Sequence, residues 1–125
     1  MIETVNEITG AVVDLSLKIH KAMGPGLFEK VYEDCLAYEL EKRNVRFKRQ
    51  FPVHVQYEEL KINDAFKIDL FIEDQVILEL KSIERIHSLH ETQIITYMRL
   101  AKISTGLLIN FNVPLIKDGI RRFKI

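Results

Sequence analysis

The chain has 125 residues, 47% hydrophobic and 29% charged with few glycines or prolines, which suits one folded domain with a real core and excludes disorder. Lysine plus arginine equal aspartate plus glutamate at 18 each, which argues against an overall basic coat for nucleic acid while leaving room for a local basic groove. A single cysteine, Cys35, rules out an internal disulfide and fits a reducing, cytoplasmic setting; there is no basic-then-apolar leader and no run near the ~18 apolar residues of a membrane span.

Helical spacing of Ile2, Val5, Ile8 (or Thr9), Val12, Leu15 and Ile19 predicts a helix over 2–22. "GPG" at 24–26 stops it, because Pro25 lacks a donor and the glycines loosen the chain. A second helix is expected over 27–43, ended by Asn44, with Phe28, Val31, Tyr32, Cys35, Leu36 and Leu40 on its buried face. Residues 45–57 alternate as an extended strand, Val45, Phe47, Val53, Val55 and Tyr57 on one side, with an irregularity at Pro52. A short segment, 60–62, precedes a hairpin, "KIDLFIEDQVILELKS", over 67–82. A third helix follows over 87–102, with Leu89, Ile94 (or Thr92), Tyr97, Leu100 and Ala101 as packing positions. "TGLLINFNV" reads as a strand buried on both faces, and "DGIRRFKI" as a last short strand. The order α-α-β-β-β-α-β predicts an α/β (α+β) protein, a mixed sheet flanked by helices.

The hairpin carries two acids that a buried strand does not want. With Glu73 to Gln75 as its loop, residues whose numbers sum to 148 face each other. Ile68–Leu80, Leu70–Leu78 and Ile72–Val76 then form an apolar side; Phe71–Ile77, Asp69–Glu79 and Lys67–Lys81 form the other. Like charges opposed across a ladder are destabilising, and a hard divalent cation, Mg²⁺ or Mn²⁺, is the natural compensation for two carboxylates. The same acids also read as a solvated edge, each bridged to a lysine. Glu29 shares a helical stripe with Tyr32, Leu36 and Leu40, and also sits in the first turn, where the helix dipole alone accounts for it. Gln93 and Tyr97 are four apart on one helical face, suited to positioning a water or phosphate, or to an ordinary amphipathic boundary.

Lys42, Arg43, Arg46, Lys48 and Arg49, then Lys117, Arg121, Arg122 and Lys124, are candidates for phosphate contact, though such charges are commonly just solvated. Zinc is not expected, because His20, His54, His87, His90 and Cys35 fit no standard ligand spacing. Cys35 lies on an apolar helical face and reads as core.

Taken in order, "GLFEKVY" (26–32), "KIDLFI", "ELK", "QIITY" and "GLLINFNV…KDGIRR" resemble the GxxExxY proteins, a family placed in the PD-(D/E)XK nuclease superfamily. The resemblance spans nearly the whole chain; Ile68 stands where the superfamily's name has proline, a position often replaced. It implies one domain over 1–125, with a nuclease-like core α-β-β-β-α-β over 26–125 and residues 1–23 as a helical addition. It also implies a Mg²⁺- or Mn²⁺-dependent phosphodiesterase. Asp69, Glu79 and the Leu80 carbonyl would hold the metal, joined by Glu29. Lys81 would orient water or offset charge on phosphate, and Gln93 and Tyr97 would position substrate. Arg46, Lys48, Arg49, Arg121 and Arg122 would contact nucleic acid, DNA ahead of RNA. A non-catalytic binding module on the same fold and a homodimer are the other arrangements expected.

Overall fold

The computed structural model describes residues 4–125. Helices α1 (Val5–Met23) and α2 (Glu29–Lys42) precede β1 (Phe47–Tyr57), β2 (Leu60–Ile72) and β3 (Val76–Lys81). Then come α3 (Ser88–Ala101), β4 (Thr105–Asn110), a short 3₁₀ turn (Ile116–Gly119) and β5 (Ile120–Lys124). The sheet runs β1-β2-β3-β4-β5, antiparallel except where α3 returns the chain to lay β4 parallel to β3.

The helix boundaries have local causes. Thr4 and Glu7 form a capping box at the start of α1, each side chain bonding the other's backbone N–H. The predicted start at residue 2 lies outside the described residues. Gly24, at φ 73, ends α1 and donates to the His20 carbonyl. Asn44, at φ 59, follows α2 in the left-handed region that asparagine tolerates, as its stop role required. The hairpin loop is also as expected: Glu73 and Asp74 take positive φ, and Gln75 N–H donates to the Ile72 carbonyl.

Two apolar clusters sandwich the sheet. On one face Ile8, Val12, Leu15 and Ile19 of α1 and Tyr32, Leu36 and Leu40 of α2 cover Leu70, Leu78, Leu80, Leu107 and Ile109. On the other, Ile94 and Met98 of α3 cover Val53, Ile68, Phe71, Ile77 and Leu108. Burial on both sides explains the continuous apolar runs of β3 and β4. Three expected helix packing positions are exposed instead. Phe28 precedes the first turn of α2 and is 85% exposed, and Leu89 is in the first turn of α3 and is 74% exposed. Leu100 is exposed near the far end of α3. The segment over 60–62 and the first hairpin strand are one continuous strand. The β1–β2 register shift lies between Val53 and Val55 rather than at Pro52, which the edge strand accommodates.

Tyr32 ties the interhelical loop to the core. Its ring stacks on Phe111 at 4.3 Å, its hydroxyl donates to the Gly24 carbonyl at 2.6 Å, and it accepts from Leu27 N–H at 3.1 Å. Tyr32→Phe keeps the stack and strands two backbone groups. It is expected to lower unfolding free energy by about 1–3 kcal/mol in a denaturant titration.

Candidate active site

The β2–β3 ladder pairs Ile72 with Val76, Phe71 with Ile77 and Leu70 with Leu78, the register expected from the symmetric loop. Beyond Leu70 the strands are joined by side chains. Asp69 N–H donates to Glu79 Oε2 at 2.8 Å, and Leu80 N–H donates to Asp69 Oδ2 at 2.9 Å. Each carboxylate therefore accepts from the strand that carries the other. The two acids are thereby locked side by side at the open end of the hairpin.

This break changes one expectation. Ile68 and Leu70 are two residues apart and were expected on one side, yet they join opposite clusters. The neighbouring strand does the same: Phe47 packs toward α1 and α2, Phe51 toward α3, and Gln50 between them sits at φ 47. Both strands change face at the level of Asp69, so simple alternation fails there.

The electrostatics follow from that placement. Burial pushes the Glu79 carboxyl up to about 8, and the adjacent Asp69 charge pushes the same way. The Asp69 amide and the Lys81 ammonium pull down but do not offset burial. Asp69 is raised too, first by burial, against the Leu80 amide and Gln50 bonds that favour its ionised form. A buried acid pair of this kind favours a cation beside it.

Lys81, half-buried and two residues beyond Glu79, acts electrostatically on both acids and makes no ion pair among the described residues. From α3, the Tyr97 phenol is raised first by burial and further by the charges of Glu79 and Asp69. Its ring stacks on Phe66 of β2 at 4.0 Å, fixing it beside the hairpin. Gln93 lies one turn earlier on the same stripe, exposed and unbonded among the described residues. From α2, Glu29 is an exposed first-turn residue and lines a cavity of about 360 Å³ with Lys30, Glu33, Gln50, Asp69 and Leu80.

Three contributors escaped the expectations drawn from sequence. Glu33 is the buried acid of α2 on the side of the hairpin, Glu39 being bonded to Lys18 instead: it accepts from Gln50 at 2.7 Å and from Arg49 at 2.9 Å. Gln50 also reaches Asp69 at 3.2 Å, so α2 is wired to the hairpin through β1. The i,i+4 spacing of Glu29 and Glu33 was the available signal. His90 was expected only as a helix-flanking residue. Its Nδ1 accepts from His87 N–H at 3.0 Å, which leaves Nε2 as the donor. Burial lowers its pKa, and the Lys81 charge lowers it further. His90, Gln93 and Tyr97 fall at i, i+3 and i+7, one stripe of α3.

The five cations expected to contact nucleic acid are dispersed and engaged. Arg46 pairs with Glu73 at 3.1 Å and Lys48 with Asp74 at 3.2 Å, at the hairpin turn remote from Asp69. Arg49 bridges Glu33 and Asp34. Arg121 meets Glu91 at 3.6 Å, and Arg122 bonds Asn6 and Thr9 of α1. Of the residues weighed for zinc, His87 and His90 are neighbours at the start of α3, while the others lie apart: His20 bonds the Val113 carbonyl, His54 lies 3.8 Å from Asp64, and Cys35 lies between α1 and α2. Among the described residues no group of three or more His, Cys, Asp or Glu side chains converges as a metal cluster.

The donor chemistry at the hairpin nonetheless fits a hard divalent ion. Asp69 and Glu79 offer oxygen only, and a cation would offset the burial and mutual repulsion that raise their carboxyls. Leu80 and Glu29 share the cavity beside them. No helix among the described residues is long and apolar enough to cross a membrane.

Comparison with known proteins adds one finding. A family model described as the PD-(D/E)XK nuclease superfamily matches residues 6–123, from inside α1 to inside β5. No curated protein and no solved structure matches the chain. With a matching family model over nearly its full length, on an α+β fold whose central hairpin presents Asp69, Glu79 and Lys81, the chain belongs to the PD-(D/E)XK nuclease superfamily.

Proposed function

We propose that the protein is a cytoplasmic Mg²⁺- or Mn²⁺-dependent nuclease of the GxxExxY type, working as one domain. The interlocked pair Asp69–Glu79, beside a Lys81 that makes no ion pair among the described residues, carries this reading. Asp69, Glu79 and the Leu80 carbonyl would hold the ion, with Glu29 reaching it directly or through water. When bound, the ion supplies positive charge to a phosphate and lowers the pKa of a water. The Lys81 ammonium orients the attacking water or offsets charge growing on the phosphate. Gln93 and Tyr97 hold the substrate from α3, and Glu33 with Gln50 fixes Asp69 in place. Arg49, tied to Glu33, is linked through Gln50 to Asp69, and is one of the five cations proposed for nucleic acid with Arg46, Lys48, Arg121 and Arg122.

The test is hydrolysis of plasmid DNA, single-stranded DNA and RNA with and without Mn²⁺. Cleavage that needs the ion, with DNA preferred, is expected. Gln93→Ala and Tyr97→Phe should each lower kcat/KM about ten- to hundredfold while leaving ion binding intact, because they position rather than ligate. A second reading has its own observation: each of these five cations is already engaged within the chain. On that reading the domain is a non-catalytic accessory module whose partner supplies the basic surface. A folded, ion-binding protein with no hydrolysis would favour it.

A further inference from the structure

Two exposed features of opposite character lie at the same end of the sheet. The first is the outer half of the β1–β2 ribbon. The β2–β3 ladder reaches no further than Leu70–Leu78, whereas β2 runs on to Leu60 paired with β1, so among the described residues its outer part has β1 as its one strand partner. Phe66 is anchored to Tyr97, but from His54 to Ala65 every residue except Val55 is exposed. A free two-stranded ribbon is marginal in water. This one carries an apolar face besides: Tyr57 pairs with Leu60 and Val55 with Ile62, with Tyr57 66% and Leu60 59% exposed. The two-residue turn at its tip is Glu58–Glu59, with Glu58 held at φ 52. Neither turn carboxylate makes an ion pair among the described residues.

The second feature is a cavity of about 770 Å³ between the end of α1, the Gly24–Pro25 loop and residues 114–117. Its walls are largely apolar, with Leu17 and Leu115 exposed to it. Its rim is basic: Lys18 is bonded to Glu39, whereas Lys21 and Lys117 have no ion pair among the described residues. His20, on the same wall, bonds the Val113 carbonyl just past β4, which places the cavity beyond the carboxyl ends of β3 and β4. The ribbon projects past that same end from the β1–β2 edge, and the cavity lies toward the β4–β5 side.

We propose that two copies of this chain associate by reciprocal exchange of these parts. The tip of each ribbon seats in the cavity of the other copy: Tyr57 and Leu60 meet the apolar walls, and Glu58 and Glu59 meet Lys21 and Lys117. Charge complementarity selects a second copy, because the chain is neutral overall while its tip is acidic and its cavity rim basic. The geometry closes. A two-fold axis along the sheet normal turns one copy end for end and exchanges its edges, so each ribbon meets a cavity and no open chain of copies forms. A four-residue tip is a small contact against the ~1,000 Å² of a stable interface, and the two-fold supplies it twice. The Asp69–Glu79 ends then face each other across the axis, although the association itself does not depend on their chemistry.

Sedimentation equilibrium of the full chain in metal-free buffer tests this, from about 1 to 100 µM, a range that brackets a micromolar association. The wild type should sediment at twice 14.6 kDa in the upper part of that range. Tyr57→Ser with Leu60→Ser, Lys21→Glu with Lys117→Glu, and Glu58→Lys with Glu59→Lys should each shift it to monomer, with an unchanged thermal melt showing that the fold survives. Combining the two charge reversals in one chain should restore the dimer. A wild type that is monomeric throughout overturns the proposal and leaves the cavity to another occupant. So does a dimer indifferent to both reversals, a failed rescue, or a ladder of higher species. None of these outcomes bears on whether the carboxylate pair binds a cation, which separate titrations read.

Discussion

Glu79→Gln is expected to reduce phosphodiester hydrolysis at least about a thousandfold, the consequence of losing an anionic oxygen donor worth several kcal/mol at roughly 1.4 kcal/mol per factor of ten. The amide preserves size and can still accept from Asp69 N–H, so the fold should persist. Lys81→Ala should cost about 10²–10³-fold, the scale of removing one donor aimed at developing charge. The two variants differ in a second readout. Glu79→Gln should lose most of its affinity for Mn²⁺, whereas Lys81→Ala should keep it, because the amine is no ligand. Stopped single-turnover assays on the preferred nucleic acid, with calorimetric titration of the ion, measure both. Cleavage that persists in both purified variants would trace the activity to a contaminant and remove the assignment.

The second large effect concerns stability. Glu79 titrates at about 8 in the folded chain and near 4.5 as an ordinary glutamate. A carboxyl raised on folding stabilises fully below its unfolded pKa, and that stability is lost as pH rises through the folded value. The metal-free protein should therefore weaken between about pH 4.5 and 8, by several kcal/mol, since each pH unit crossed in that window costs roughly 1.4 kcal/mol. Asp69, raised in the same direction, adds to the slope. His90 is lowered on folding, so its contribution is lost as pH falls below its ordinary 6.5 and opposes the trend there. The clean window is pH 6.5 to 8. Urea titrations across it, in chelator, should show falling stability in the wild type and a nearly flat profile in Glu79→Gln. Millimolar Mn²⁺ at pH 8 should restore the wild type and not the variant, since the ion binds only the folded pair. A wild-type profile as flat as the variant's would show that Glu79 is ordinary.

Much of this was legible in the sequence because each signal was local. The symmetric loop Glu73–Gln75 fixed the pairing from Leu70–Leu78 to Ile72–Val76 by counting alone. Asn44 ended α2 because asparagine tolerates a left-handed φ there. Where expectation failed, the cause was non-local. Alternation placed Ile68 with Leu70, but Asp69 and Glu79 take backbone donors across the hairpin and Gln50 adopts positive φ, so the strands change face. No two-residue rule contains that event. Periodicity assigns Phe28 and Leu89 to buried faces, yet each lies exposed at a helix start. Glu33 went unnoticed beside the stripe of Glu29, because the partners that bury it, Arg49 and Gln50, sit 16 and 17 positions away. The basic runs were visible as composition; their acids, such as Glu73 for Arg46 and Glu91 for Arg121, were not, because pairing belongs to the tertiary fold.

The most direct measurement is proton release on Mn²⁺ binding at pH 7, from calorimetric titrations in buffers of different ionisation enthalpy. Glu79 is mostly protonated at that pH and must give up its proton to take the ion, so release of about one proton per ion is expected in the wild type and none in Glu79→Gln. Tight binding without proton release, or release unchanged in the variant, would mean that the ion sits elsewhere and that the hairpin acids are not its site.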